Sequence, residues 1–485
     1  MSDCCEDERP QPAAAARMAG RVGVSMLVKA VGVLSSLCFI GVTTRAFTKQ
    51  EVAVLAVSAI LASIMEVSKG LGLGPLMMKR LPGLMGTGDP EAGALITSCL
   101  FYSLIPPAIL AALGAMAAPV LSRYWFGSEI YQGELRLGLA AGLAMVATNT
   151  NLTVLMTARE FTAWAALSSS ASLLQRMAPC ALLLLPVSLW HFLLAVLAFS
   201  TAALAPALFP IGGLLRRNGL HCMPVAAFWN QSRHYYGSAI LRFLAVQADQ
   251  LLVVALCEPE SLAVYYVLRR LYSIAVMTMD SFFDARLPEL SKRASEDAAG
   301  ARAQLNGWIR LTLYGGTIGG AALAANGPRL VDAVAGAGYS DSRLLLVVFA
   351  GSAVTFFLLE LTQLDILLFG KAQSRFAVSA SSAGVGGMSG AILGALWGPA
   401  GLAAGAMSGQ VAGLLTAARA GSGALRLRHL LLGLGVIAAA GLLPGWKGPA
   451  LPWLPLALGN GLIVAFGWIH YSRWQVEESL RRAHT

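Results

Sequence analysis

The sequence predicts an all-α, polytopic integral membrane protein, and three observations lead there. Of the 485 residues, 56% are hydrophobic and only 12% are charged, with a mean hydropathy of +0.66. A soluble domain carries about 25% charged residues, so this chain lacks the polar surface needed to coat a water-soluble globule. Apolar runs of membrane-crossing length recur from end to end. The basic residues behind the net charge of +10 fall mostly in short clusters between those runs.

A helix needs about 20 apolar residues to cross the hydrocarbon, and the chain offers about fourteen such runs. Their limits are 22–43, 52–74, 93–117, 135–157, 163–185, 190–213, 237–257, 264–287, 307–327, 344–369, 376–396, 401–420, 429–446 and 453–471. Pro444, Pro449, Pro452 and Pro455 crowd the turn between the last two. With the N-terminus inside, the inner loops hold Lys79, Arg80, Arg159, Arg216, Arg217, Arg233, Lys292, Arg293, Arg302, Lys371, Arg375, Arg426 and Arg428. The outer loops hold far fewer cations, a bias that predicts both termini on the cytoplasmic side. The start, "MSDCCEDERPQPAAAARM", is acidic and has no apolar core, so no cleavable signal peptide is expected.

Several chemistries are disfavoured by spacing. The basic residues form no long arm and no nucleic-acid motif, so no nucleic-acid partner is expected. The seven cysteines include no C-x-x-C pair, and the histidines are scattered, which leaves neither a disulfide framework nor a metal site. "GVGGMSG" follows no strand and precedes no lysine in phosphate-loop position. Gly386, Gly390, Gly394 and Gly398, then Gly401, Gly405, Gly409 and Gly413, recur every four residues. That spacing predicts close helix–helix contact in lipid. The longest loops, 214–236 and 288–306, are too short to fold a catalytic domain, so no catalytic residue, cofactor or metal is assigned.

Charges inside the apolar runs carry the functional information. One near the bilayer centre costs about 2.5–3.5 kcal/mol on insertion scales, so it is retained for a reason. Ser25, Lys29, Gly32, Ser36 and Thr43 form a polar stripe on the first span. Glu66 and Lys69 lie on the second, where their i, i+3 spacing also suits a mutual pair. Arg242 and Asp249 share a face of the seventh span, about 10.5 Å apart along its axis. Arg269, Arg270, Asp280 and Asp284 lie on the eighth, and Glu360 and Asp365 on the tenth. Given the orientation, Lys29, Lys69 and Arg242 sit at one depth, in the cytoplasmic half, with Glu66 and Glu360 level with them and Asp280 nearby. Three cations at one level suit an anionic headgroup, and the carboxylates are placed to titrate. Arg270, Asp284 and Asp365 are read as snorkelling to the interface. Arg176, beside Pro179, receives no role. "SMLVK" and "SAILR", opening spans one and seven, echo each other as S-x-x-x-[KR] and hint at duplicated halves.

Two longer stretches carry a family resemblance: "TTRAFTKQEVAVLAVSAILASIMEVSKGLGLGPLMMKRLP" and "QADQLLVVALCEPESLAVYYVLRRLYSIAVMTMDSFFDARLPELSKR". They resemble the lipid-linked oligosaccharide flippases, of the O-antigen and exopolysaccharide type, in the multidrug/oligosaccharidyl-lipid/polysaccharide (MOP) exporter superfamily. The resemblance implies two six-helix lobes in a V around a central cavity, plus two extra helices. On this chain that means a tail at 1–21, an N-lobe at 22–213, a linker at 214–236, a C-lobe at 237–420, additional spans within 429–471 and a tail at 472–485. It implies a bacterial cytoplasmic membrane and a polyprenyl-diphosphate-linked glycan as cargo, flipped by alternating access among membrane lipids. Lys29, Lys69, Arg242 and Arg269 would hold the diphosphate. Glu66, Asp249, Asp280 and Glu360 would serve a coupling proton or Na⁺, and a polysaccharide polymerase with its chain-length machinery would be the partners. A peptidoglycan-precursor flippase, a cation-coupled drug exporter and a membrane glycan polymerase stay open as alternatives.

Overall fold

The computed structural model describes residues 12–69, 77, 81, 84–85, 90–158, 160–339, 342–370, 372–419 and 427–442. Among these residues the chain is helical throughout and contains no strand. The first half comprises α1 (Pro12–Ala46), α2 (Lys49–Ser68), α3 (Pro90–Tyr102), α4 (Ile105–Phe126), α5 (Gln132–Thr157) and α6 (Phe161–Ser172). A π-turn at Leu173–Met177 leads into the short α7 (Ala178–Leu182), followed by α8 (Leu189–Ala202) and α9 (Ala205–Asn218). The second half comprises α10 (Val225–Leu256), α11 (Pro259–Glu296), α12 (Ala298–Ala335), α13 (Arg343–Phe369), α14 (Ala372–Arg419) and α15 (Leu427–Leu442).

Where they are described, the first thirteen predicted spans fall on these helices; the fourteenth, 453–471, and the predicted tail at 472–485 lie outside the described residues, and of the predicted tail at 1–21 the described part, from Pro12, is already helix of α1. Among the described residues, seven stretches are long and apolar enough to cross a membrane by length and composition alone. α10 and α15 contribute the shorter apolar segments Phe243–Leu256 and Leu430–Ala439. The outer surface is that of a protein solvated by lipid: Leu184 and Phe209 stand 88% and 85% exposed, which water would penalise and acyl chains do not.

Two predicted loops are mostly helix. Over 288–306 only Asp297 separates α11 from α12, and its carboxylate accepts from the Gly300 N–H at 2.8 Å, starting the new helix at once. The predicted linker 214–236 shrinks to 219–224, because α9 runs to Asn218 and α10 begins behind Pro224. That short link is tied to α3, where the Met223 N–H donates to Ser98 Oγ at 2.7 Å and Tyr102 donates its hydroxyl to the Met223 carbonyl at 2.8 Å.

α2 opens on a capping box. The Glu51 N–H donates to Thr48 Oγ1 at 3.3 Å, and the Thr48 N–H donates to Glu51 Oε2 at 2.9 Å. Thr48→Ala should lower stability by about 1 kcal/mol, read as a small drop in the thermal midpoint in detergent.

Spans eleven and twelve form one continuous element folded back on itself. Gly398 adopts φ 57° and ψ −139°, a conformation that side chains resist, and Pro399 follows it. The four-residue glycine rhythm then lets the two arms touch backbone to backbone. A Cβ on Gly405 would lie 2.2 Å from Gly390 Cα, and one on Gly409 would lie 2.4 Å from the Ser382 carbonyl oxygen. Gly405→Ala should therefore destabilise the protein by about 1–3 kcal/mol. Gly387→Ala, with open space around it, should not. Thermal melting of the two variants checks the contrast.

Within each half the helices pack mainly on neighbours from the same half, α5 on α2, α4 and α8, and α14 on α10 and α13. The halves meet where α1 and α2 cross α10, α11 and α12. Spans one, two, seven and eight thus enclose the middle of the molecule.

Candidate functional site

A cavity of about 370 Å³ lies at that crossing. α2 contributes Glu66, α5 contributes Asn149, the π-turn contributes Gln175 and Arg176, α10 contributes Gln247, and α11 contributes Arg270. A second cavity of about 200 Å³ adjoins it, sharing Ser63, Gln247, Tyr266 and Arg270. In a chain this apolar, so many polar side chains turned toward one space mark a water-filled or ligand-filled chamber.

Arg176 comes from an irregular turn. Pro179 has no N–H to give to the carbonyl of residue 175, and the helix relaxes into the wider π-turn just before it. The guanidinium then reaches α1, where Nη1 donates to the Gly32 carbonyl at 3.1 Å and to Ser36 Oγ at 2.5 Å. Both acceptors are neutral, and among the described residues no carboxylate comes within ion-pair distance of Arg176. Arg270 likewise pairs with no described carboxylate. α11 begins at Pro259, upstream of the predicted limit, so Arg270 lies about 16 Å along the helix. It faces the cavity rather than snorkelling to an interface.

The acidic group on the wall is already neutralised. Lys69 and Glu66 form an ion pair, and Asn149 Nδ2 donates to Glu66 Oε2 at 3.2 Å. The i, i+3 spacing is what brings them together, and Lys69 stands beside the cavity rather than on its wall. With that charge cancelled, Arg176 and Arg270 make the described wall of the chamber net cationic.

Asp249 and Arg269, assigned opposite roles from the sequence, turn out to be partners. Arg269 Nε lies 3.1 Å from Asp249 Oδ2, and the two residues are 9% and 5% exposed. Tyr265 also donates its hydroxyl to Asp249 Oδ2. Arg269 Nη2 donates to the Val246 carbonyl at 2.6 Å, and the guanidinium stacks 4.4 Å from the Tyr272 ring centroid. Helical spacing on two separate spans gave no hint of this contact, because it depends on how α10 and α11 are rotated against each other.

Of the other sequence candidates, the two with described side chains lie away from the cavity. Lys29 lies on α1 one turn before Gly32, off the cavity wall. Glu360 is half-buried on α13, also away from it. Arg242 and Asp280 lie on α10 and α11, but their side chains, like that of Asp284, fall outside the described residues; Phe243, next to Arg242, lines the cavity. Asp365 sits 4.0 Å from Arg302 Nε near the end of α13. The sequence reading missed Arg176, Arg270 and the amides Asn149, Gln175, Gln247 and Gln250. A glutamine–arginine pair beside a proline in an apolar run was the signal available for the first.

The fold and the cavity define a many-helix membrane protein built around a polar, cation-bearing chamber between two halves. The same fold is seen in solved membrane transporters. The lipid II flippase MurJ, in an inward closed conformation, superposes with a TM-score of 0.66 at 10% identity, over 93% of this chain and 98% of its own. A variant of the Vibrio cholerae MATE transporter VcmN gives 0.60 at 15% identity, over 87% and 98%. A MOP-superfamily transporter from Pyrococcus furiosus, described by a reversed polarity of its binding pocket, gives 0.54 at 14%, over 88% and 95%. No family model matches the sequence, and no curated protein sequence matches it.

Proposed function

We propose that this protein is a transporter that moves a polyprenyl-diphosphate-linked oligosaccharide from the inner to the outer leaflet of the bacterial cytoplasmic membrane. In this reading its halves rock about the central chamber in alternating access, and both termini face the cytoplasm. The observation that carries it is the pair of guanidiniums, Arg176 and Arg270, that face one cavity without a described carboxylate partner. A cation held in a membrane interior without a described carboxylate partner is costly. An anionic ligand offsets that cost, and a guanidinium fork matches phosphate oxygens. The diphosphate sits between Arg176 and Arg270, and the lipid tail stays in the bilayer. Lys29 and Arg242, on the two helices flanking the chamber, attract the headgroup toward it.

The reaction is movement, with no bond made or broken. Proton or Na⁺ coupling falls to Glu66, Asp280 or Glu360, while Asp249 balances Arg269. A polysaccharide polymerase takes the glycan on the far side. A second reading, transport of a peptidoglycan precursor, is favoured by the superposition on the lipid II flippase over 93% of this chain; that cargo carries the same diphosphate. Export of cationic drugs is disfavoured, since two arginines without a described carboxylate partner repel them.

Vesicles containing the purified protein and a fluorescent polyprenyl-diphosphate oligosaccharide test the proposal. Transport should expose the inner-leaflet glycan to an external glycosidase within minutes. A protein that leaves the anionic lipid in place but moves a cationic dye would refute it.

A further inference from the structure

We infer that the smaller cavity, beside Arg270, is a subsite for the sugar attached directly to the diphosphate. The inference rests on the anionic-lipid reading above and adds a second specificity, for the glycan, on different residues. Arg270 lines both chambers, so a phosphate on its guanidinium places the next group of the cargo at the mouth of the smaller one. Its volume of about 200 Å³ suits a single ring, not a chain of them.

The wall has the chemistry of polyol recognition. Gln250 Nε2 donates to Gln247 Oε1, which spends one donor and one acceptor. That leaves the Gln247 amide hydrogens and the Gln250 carbonyl without a described partner, a matched donor and acceptor for hydroxyl groups, which are both at once. Ser273 donates its proton to the Arg270 carbonyl at 2.7 Å, so its oxygen is left to accept. The Tyr266 hydroxyl adds another donor on the shared wall. Val276 and Phe356 supply an apolar surface for the C–H face of a pyranose. The remaining cation there, Arg269, is already committed to Asp249, so the pocket offers neutral hydrogen bonding next to the phosphate site. A sugar satisfies that pattern; a second phosphate or an acyl chain does not.

The test compares farnesyl diphosphate with a farnesyl-diphosphate-linked hexose, using the full chain in detergent for binding and in vesicles for transport. Gln250→Leu and Ser273→Ala should each weaken binding and slow transport of the glycosylated lipid by about tenfold, the effect of one hydrogen bond. Both should leave the sugar-free lipid unchanged. Gln250→Asn, which keeps the amide, should recover part of the loss, and unaltered thermal midpoints would exclude misfolding. Equal losses on both lipids, or no loss on either, would overturn the sugar subsite while leaving the anion site standing. Failure of the wild-type protein to bind either lipid would overturn both.

Discussion

Arg176→Ala should slow transport of a diphosphate-linked lipid by about ten- to a hundredfold, the effect of removing hydrogen bonds to a charged group. The argument is geometric. Arg176 spends Nη1 on the Gly32 carbonyl and Ser36 Oγ of α1, and a guanidinium has five N–H donors in a planar fork. The donors on Nε and Nη2 have no described partner and are open to the chamber that Arg176 lines. α1 therefore aims the fork, and the ligand takes the remaining donors. Arg176→Lys keeps the charge but loses the fork, and should fall between wild type and alanine. Arg270→Ala should match the alanine loss, and the double variant should fall short of the sum, because both groups grip one anion. Ser36→Ala leaves the Gly32 carbonyl as an acceptor and should cost only a few-fold. Flipping rates in vesicles decide, and wild-type rates from both single alanine variants would sink the anion site.

The second large effect concerns stability. Asp249→Ala or Arg269→Ala alone should destabilise the fold by about 3–5 kcal/mol, since each leaves an uncompensated charge in a buried site. Asp249→Leu combined with Arg269→Leu should recover much of that loss, because the desolvation cost disappears with both charges. The pair joins α10 to α11 through an Asp249–Arg269 contact of 3.1 Å and the Tyr265 hydroxyl. Tyr272, on which Arg269 stacks, in turn hydrogen-bonds Ser352 of α13 and Gln410 of α14, and Ser352 donates to Gln410 Oε1 at 3.1 Å. Thermal unfolding in detergent measures the cycle. If the single variants melt like wild type but lose the response of transport to pH or Na⁺, Asp249 is a coupling site and the structural assignment fails.

Much of the scaffold was legible from composition and periodicity. The span limits were found by apolar length because insertion into hydrocarbon depends on sequence-local hydrophobicity. The glycine rhythm over 386–413 announced close packing, since a four-residue repeat lines up on one helix face whatever the partner. Helix ends were less legible: Asp297 and Pro224 compress two apparent loops into single residues or short links, and capping of that kind depends on a few atoms rather than on a hydropathy average.

The site was legible only in part. Sequence spacing identified Glu66 and Lys69 as a possible pair because both lie on one helix. It placed intramembrane charges on α1, α2, α10 and α11, and of these helices α2, α10 and α11 turn polar groups into the cavity. It could not show that Arg269 neutralises Asp249, that Arg270 turns inward, or that Arg176 reaches Gly32 across from another helix. Those relations depend on rotation and depth between helices far apart in the chain.

By itself, then, the sequence determined a lipid-solvated bundle of helices with charges inside its apolar spans, since burial of apolar surface and the cost of charge in hydrocarbon act residue by residue. Tertiary structure alone decided which charges are spent and which have no carboxylate partner among the described residues. Arg269 and Lys69 are cancelled by carboxylates, while Arg176 and Arg270 meet at one chamber, because pairing is a property of distances between helices that no single helix contains.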